Sequence, residues 1–127
     1  MQIATHQQID QELCGCPVDV GGGNSTVTLT TTARMAADAS GLVHGGFIFG
    51  LADYAAMIAV NHPNVVLGGA DVRFLKPVVT GDTVVASAKT ISVSGRKHQV
   101  EVSVSRGDET VFSGNFSCFV LDSHVLG

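Results

Sequence analysis

The clearest pattern along the chain is a succession of β-rich runs in its second half. Apolar residues alternate strictly with polar ones at Val100, Val102 and Val104, which is the period of a strand with one buried face. Gly-Asp and Ser-Gly pairs interrupt the runs, as turns between antiparallel strands do. The pattern predicts four strands paired as an antiparallel meander, Val65–Pro77, Asp82–Val93, Lys97–Arg106 and Glu109–Leu121.

One strong helix is predicted before these strands, over His44–His62. Its residues are apolar on nearly every side, so most of its surface should be buried. Pro63 ends the pattern, because proline cannot continue a helix. Gly50 in the interior costs about 1 kcal/mol of helix stability relative to alanine, which suggests close approach by another backbone.

The first forty residues give weaker patterns. Scattered apolar positions predict a modest helix over Ile3–Cys14 that ends before Pro17. The glycine-rich stretch Gly21–Asn24 is interpreted as a loop, and the β-branched run Ser25–Thr32 as a strand. Asp38–Gly41 has the composition of a turn.

These elements together predict the fold class. An apolar helix and a sheet with one apolar face must cover each other. The expected structure is a single α+β domain over residues 1–127, a hotdog fold in which an antiparallel β-sheet wraps around one long central helix. A chain of this length is the usual size of one domain.

Composition narrows the function classes. The chain has a formal net charge of −4 and no basic run, which disfavours nucleic-acid binding. The N-terminal residues lack the pattern of a signal peptide, and no segment reaches the ~20 apolar residues of a membrane span. A cytoplasmic protein without membrane contact is therefore expected. Cys14 and Cys16 lack the other ligands of a zinc site, so no metal is expected.

Two segments carry a resemblance to a known family. The stretch from Asp38 to Asp53 contains His44-Gly45-Gly46 and then Leu-Ala-Asp, and it resembles hotdog-fold acyl-CoA thioesterases of the PaaI-like and THEM2-like type. The segment Asp71–Asp82, with Phe-Leu-Lys-Pro inside it, resembles a strand and turn of the same family. The resemblance covers residues 38–121 and implies hydrolysis of a thioester to a free acid and CoA.

The resemblance also implies roles for individual residues. The N–H of Gly45 would donate to the oxyanion, and Asp53 would act as general base for water or as direct nucleophile. An acid in such an apolar helix is costly unless it is paired or used; the alternative is an Asp satisfied by a neighbouring group. His44 would support the loop or contact substrate. Asp38 stands where the family usually carries an amide, and an ionised carboxylate cannot donate a hydrogen bond.

Helix geometry separates the two ends of this motif. Gly45 and Asp53 lie eight residues apart, or about 12 Å along a helix axis. One thioester carbonyl cannot touch both within one subunit. An antiparallel helix from a two-fold partner would bring them together, so a homodimer with two shared sites, or a tetramer built from it, is expected.

Coenzyme A is expected as part of the substrate, and no separate cofactor is needed. Its phosphates would be bound by basic side chains, while Gly46 and Phe74 would line the site. The candidate cations are Arg73, Lys76, Arg96 and Lys97.

Two other functions remain open. The first is a non-catalytic hotdog module that binds acyl-CoA or acyl-ACP without hydrolysing it. The second is a dehydratase or hydratase, although the proline-containing motif that follows the histidine in those enzymes is absent here.

Overall fold

The computed structural model describes all residues from Met1 to Gly127 and contains two α-helices and six strands. The helices are α1 (Gln11–Cys14) and α2 (Gly45–Val60), and a single 3-10 turn covers Ala33–Met35. The strands are β1 (Cys16–Gly21), β2 (Asn24–Thr30), β3 (Val65–Phe74), β4 (Thr83–Ser94), β5 (Lys97–Arg106) and β6 (Glu109–Val120).

The six strands form one antiparallel sheet that curls around α2. Their order across the sheet is β1-β2-β4-β5-β6-β3, and α2 contacts every one of them. Nine of the sixteen residues of α2 are buried, in a core of 25 apolar residues. The predicted α+β hotdog fold is confirmed, and the apolar composition of α2 on nearly all sides follows from this enclosure.

The position of β3 corrects the predicted meander. β4, β5 and β6 do pair in succession, but β3 pairs with β6 rather than with its neighbour in the chain, β4. β3 therefore lies at the edge of the sheet, with one hydrogen-bonded neighbour. Alternation identifies a strand but does not say which strand it pairs with, and this is why the meander was wrong at its first member.

The N-terminal prediction is also wrong in part. Only Gln11–Cys14 of the predicted helix Ile3–Cys14 is helical, and the carboxylate of Asp10 begins it by accepting from the N–H groups of Glu12 and Leu13. The preceding residues are not helical, because His6 has a φ of +53° and cannot belong to a right-handed helix. Tertiary contacts hold this segment instead.

A strand that the pattern missed, β1, follows directly. Pro17 suggested the end of a helix, but it lies in an edge strand whose register with β2 shifts between Pro17 and Asp19. Edge strands and bulges are where a sheet tolerates proline. Gly22 and Gly23, both with positive φ, make the tight turn into β2.

Helix α2 has a side-chain cap at its start and a backbone cap at its end. His44 is its N-cap, and Asn61 ends it in the left-handed conformation with φ +54°. The Asn61 side chain also holds the N-terminal segment: its Oδ1 accepts from the N–H of Ala4 at 2.8 Å, and its Nδ2 donates to the carbonyl of Gln2 at 2.7 Å. One residue thus both ends the central helix and fixes the start of the chain against it.

Replacing Asn61 should separate these two contributions. Asn61→Gly and Asn61→Ala both lose the bonds to Gln2 and Ala4, but only alanine bears the cost of a left-handed backbone, about 1 kcal/mol. We expect Asn61→Ala to be the less stable variant by about that amount in urea unfolding. Equal stability of the two variants would contradict a backbone cost at this position.

Candidate active site at the start and middle of helix α2

The loop that opens α2 leaves one backbone donor free. His44 Nδ1 accepts from the N–H of Gly46 at 2.8 Å, so the imidazole caps the helix. The N–H of Gly45 has no acceptor within the chain. Because the first N–H groups of a helix carry partial positive charge, such a free donor is suited to bind an anion. His44 therefore supports the loop through a hydrogen bond of its ring, which is one of the two roles that the sequence left open.

Both glycines are held to minimal size by their neighbours. A Cβ on Gly46 would lie 2.8 Å from His44 Nδ1, and one on Gly45 would lie 3.1 Å from Cε2 of Phe74. Phe74 packs edge-on against the ring of Phe112, with centroids 5.1 Å apart, so its position is fixed from behind. The absence of side chains lets the backbone at Gly45 be approached closely.

A groove of about 310 Å³ opens beside Gly45, and we call it the Gly45 groove. Its lining is mainly apolar, with Lys76 as its one charged residue. It is formed by Val43, Gly45, Ile48, Phe74, Leu75, Lys76, Pro77, Val78 and Val111. The sequence singled out Gly45, Phe74 and Lys76 but missed the walls formed by Val78 and Val111, which only the sheet brings to this end of α2.

Asp53 is a partly buried acid with an unsatisfied oxygen. Its Oδ1 is inaccessible to solvent and has no hydrogen-bond partner. Burial raises the pKa of this carboxyl from its ordinary value near 3.8 to about 6. No neighbouring side chain or backbone group satisfies it, so the alternative of a purely structural, hydrogen-bonded Asp finds no support in the contacts of this chain.

The surroundings of Asp53 include two thiols. Burial, together with the negative charge of Asp53, raises the pKa of Cys118 on β6 to about 12 and also raises the pKa of Cys14. Tyr54, the next residue along α2, points away toward the ring of His6, with centroids 6.4 Å apart. The raised pKa values mean that neither thiol competes with the carboxyl as an acid or base near neutral pH.

Asp38 lies in an exposed turn rather than against Gly45. Its Oδ1 accepts from both the N–H and the hydroxyl of Ser40, at 2.9 and 2.6 Å. These bonds lower the pKa of the Asp38 carboxyl, so it is ionised and accepts rather than donates. The hydrogen bonds explain the turn at Asp38–Gly41 that the sequence predicted.

The candidate cations are distributed over both ends of the sheet. Lys76 lies at the Gly45 groove, 3.8 Å from Glu109, and Arg73 pairs with Asp71 at 3.0 Å. The carbonyl of Arg96 accepts from Val120, beyond the last turn of α2 and far from Gly45.

Most of these cations already have carboxylate partners. Arg96 bonds to Asp122, whereas Lys97 has no carboxylate within ion-pair distance. Lys76 and Lys97 are therefore the less compensated charges among the candidates. No helix is long and apolar enough to cross a membrane, and no cluster of three or more His, Cys, Asp or Glu side chains has the proximity needed to hold a metal ion.

Comparison with known proteins identifies the family. The model of the thioesterase superfamily matches residues 40–113, more than half of the chain. The chain belongs to the thioesterase superfamily. The matched region includes the Gly45 loop, Asp53 and most of the groove walls.

Two solved structures resemble this chain over most of their length. The protein PH1136 from Pyrococcus horikoshii is 52% identical, with a TM-score of 0.98, and the match covers 100% of this chain and 98% of that one. The PaaI protein from the phenylacetic acid degradation operon of E. coli is 25% identical, with a TM-score of 0.80, and the match covers 88% of this chain and 83% of that one.

The curated relatives are longer proteins. A protein from Aquifex aeolicus named methylthioribose-1-phosphate isomerase is 52% identical over 128 residues, which is 100% of this chain but 28% of that protein. Transcription factor FapR from Thermoanaerobacter is 32% identical over 85 residues, 67% of this chain and 42% of that protein. The chain thus spans less than half of the curated relatives it matches.

The raised pKa of Asp53 predicts a pH-dependent stability. The folded state binds this proton more tightly than the unfolded chain does, so the carboxyl lowers stability progressively as the pH rises from about 4 to about 6. Relative to Asp53→Asn, which cannot titrate, the wild type should lose up to about 3 kcal/mol over that range. Urea unfolding of both proteins at pH 4 and pH 7 tests this. A difference between them that does not change with pH would show that the carboxyl is not perturbed.

Proposed function

We propose that the protein is an acyl-CoA thioesterase that hydrolyses a thioester to a free acid and CoA. The observation that carries this proposal is the pairing of two unsatisfied groups on one helix: the free N–H of Gly45 and the buried, unbonded oxygen of Asp53. Folded proteins rarely leave a buried oxygen such as that of Asp53 without a partner, and a free N–H at the start of a helix is open to a ligand. A donor for a developing oxyanion and a base for water are what thioester hydrolysis requires.

The reaction proceeds through a tetrahedral intermediate. Asp53 takes a proton from water, and the water oxygen attacks the carbonyl carbon while the carbonyl oxygen accepts from the N–H of Gly45. Collapse of the intermediate expels the thiolate of CoA, which takes up the proton. With a pKa of about 6, Asp53 is ionised at neutral pH yet more basic than an ordinary aspartate. Direct attack by Asp53 to give an acyl-enzyme anhydride is the alternative route with the same groups.

A homodimer supplies both groups to one carbonyl. Strand β3 is a ten-residue edge strand with an open hydrogen-bonding side, and residues 68–71 within it are exposed. Such an edge pairs readily with another strand. If two copies of β3 pair antiparallel, their α2 helices also run antiparallel, and Asp53 of the partner subunit approaches Gly45.

The face of α2 that carries Asp53 supports the same arrangement. Phe49, Gly50 and Asp53 are only partly buried, while the residues on the opposite face are enclosed by the sheet. A Cβ on Gly50 would meet no atom within 4 Å. The close approach expected at Gly50 is therefore absent within the chain, and the space is open to a partner helix. Two such dimers would form the tetramer.

The dimer also accounts for the division of the candidate cations. Antiparallel pairing places the Arg96–Lys97 end of one subunit beside the Lys76 end of the other. Lys76 and Lys97 would then bind the phosphates of CoA from two sides, with Arg73 and Arg96 available after loss of their carboxylate partners. Phe74 and Gly46 border the thioester. Asp38 would act at most as an acceptor, for instance toward the nucleophilic water.

A non-catalytic binding module is the second candidate. The sequence similarity to transcription factor FapR favours it, since that protein is named as a regulator and matches 67% of this chain. Both functions need an acyl-CoA or acyl-ACP site, but only the enzyme needs Asp53. A thiol-release assay over acyl-CoAs from aryl to long-chain distinguishes them, because a binding module protects the thioester and releases no thiol.

Loss of the carboxylate should abolish hydrolysis while sparing the fold. We expect Asp53→Asn to reduce kcat at least a hundredfold, and the wild-type kcat/KM to rise with pH through about 6 as Asp53 ionises. Asp19→Asn, an exposed acid on β1, is the matched control and should retain full activity. Substantial activity of Asp53→Asn would contradict the proposed role.

Removing the N–H of Gly45 tests the oxyanion donor. Proline suits the first position of a helix, and His44 already has the extended conformation that precedes proline. Gly45→Pro should lower kcat by a factor of ~100, the effect of losing an oxyanion donor. Gly45→Ala keeps the N–H while adding the same contact with Phe74, so its kcat should fall much less.

Mixed oligomers then test whether the site is shared. Asp53→Asn and Gly45→Pro chains, refolded together in equal amounts, should regain about a quarter of the wild-type activity, because half of the dimers contain one intact site. A site contained in one subunit would give no recovery.

A further inference from the structure

The wall of the Gly45 groove is a connector without regular structure. Residues 75–82, which we call the β3–β4 connector, cross from the edge of the sheet to its middle. Leu75, Lys76, Pro77 and Val78 line the groove. Backbone bonds attach parts of the connector: Leu75 N–H donates to Val111 at 2.8 Å, and the carbonyl of Val78 accepts from Val43 at 2.8 Å. The shape of the groove therefore depends on what holds the rest of the connector.

One guanidinium joins the connector to the end of the sheet. Arg106, the last residue of β5, donates to the carbonyl of Pro77 at 2.9 Å and to Oδ2 of Asp82 at 3.0 Å. It also donates to the carboxylate of Glu109, at the start of β6. Its side chain is only 30% exposed, and that of Asp82 is 23% exposed. A planar fork with several donors suits three fixed acceptors, and lysine could not reproduce it.

Asp82 links the bond from Arg106 to the backbone of the connector. The same Oδ2 that accepts from Arg106 also accepts from the N–H of Val79 at 3.1 Å, and the backbone carbonyl of Asp82 accepts from Thr31. Arg106 thus holds both Pro77 and Asp82, and Val79 lies between them. Arg106 fixes both ends of residues 77–82, and the first two of these residues, Pro77 and Val78, line the groove.

Glu109 connects this arrangement to the charge at the groove. One of its oxygens accepts from Arg106, and the other lies 3.8 Å from Nζ of Lys76. Such an exposed pair adds little stability. Its effect is on position and charge, since Glu109 keeps the ammonium of Lys76 at the groove and partly compensates it.

We infer that Arg106 is a positioning residue for substrate binding: it fixes the β3–β4 connector against Gly45, and through Glu109 it sets the place and effective charge of Lys76. The ligand in question is the anionic acyl-CoA, so this inference rests on the proposed function. Arg106 touches neither Gly45 nor Asp53, which places its effect on binding rather than on the chemical step.

Three variants and one control test the inference. In Arg106→Gln we expect KM for acyl-CoA to rise about tenfold, the effect of losing charge-assisted hydrogen bonds, with kcat within twofold of wild type. Arg106→Lys keeps the positive charge but not the planar fork of donors, so its KM should lie between those of the wild type and Arg106→Gln. Glu109→Gln should lower KM two- to threefold, because Lys76 is then uncompensated. Arg34→Gln, which removes an exposed arginine paired only with Glu12, should change nothing.

Hydrogen exchange gives a readout that needs no substrate. Amides of residues 76–82 should exchange faster in Arg106→Gln than in wild type or Arg34→Gln. Unchanged exchange, or a kcat that falls while KM stays constant, would overturn the inference.

If no acyl-CoA is hydrolysed by the wild type, faster exchange would still support the connector contacts while the proposed function fails. Since Glu109→Gln leaves the bonds to Pro77 and Asp82 intact, an unchanged KM there would refute the compensation of Lys76 even if Arg106→Gln does not fold.

Discussion

Burial of α2 inside a curled sheet is the constraint on which the rest of the molecule depends. A helix that is apolar on nearly all sides cannot remain in water, and here all six strands contribute to its cover. The cover is incomplete on the side of Phe49, Gly50 and Asp53. An acid on that side loses part of its hydration without gaining a hydrogen bond, and its basicity rises as a consequence. The chemistry proposed for Asp53 is thus a product of how the core closes.

At the N-terminus of α2, one backbone N–H group is left without an acceptor in the chain. The ring of His44 accepts a hydrogen bond from the N–H of Gly46, and this capping bond stabilises the helix. The N–H of Gly45 is left without an acceptor. Phe74 lies so near that a Cβ at Gly45 would be 3.1 Å from its ring, and the absence of a side chain there keeps the free N–H accessible. The histidine therefore supports the site through the hydrogen bond that keeps the first turn of the helix regular while the N–H of Gly45 stays available.

The sequence was sufficient for the parts that depend on local pattern. Apolar continuity predicted α2 to within two residues at its C-terminal end, and alternation identified β4, β5 and β6. It could not place β3 beside β6, because pairing partners depend on the closing of the sheet around the helix. It missed β1, because Pro17 signals a helix end and an edge strand equally well. In the site, Gly45 and Asp53 were predicted from the resemblance to the family, but the carboxylate partners of Arg73, Lys76 and Arg96 arise from tertiary neighbours that a single sequence does not display.

The unexpected position of β3 has a functional consequence. Had β3 paired with β4, a short turn would have joined them. With β3 at the far edge, the chain must cross the end of the sheet, and it crosses at the mouth of the groove beside Gly45. An irregular segment is a poor wall for a binding site unless something fixes it, since its backbone groups lack the partners that a strand provides. Backbone bonds to Val111 and Val43 hold part of the connector, and the bonds from Arg106 to Pro77 and Asp82 attach it further through a side chain. The topology that leaves one side of β3 open is therefore the same topology that brings the β3–β4 connector within reach of Arg106 at the end of β5.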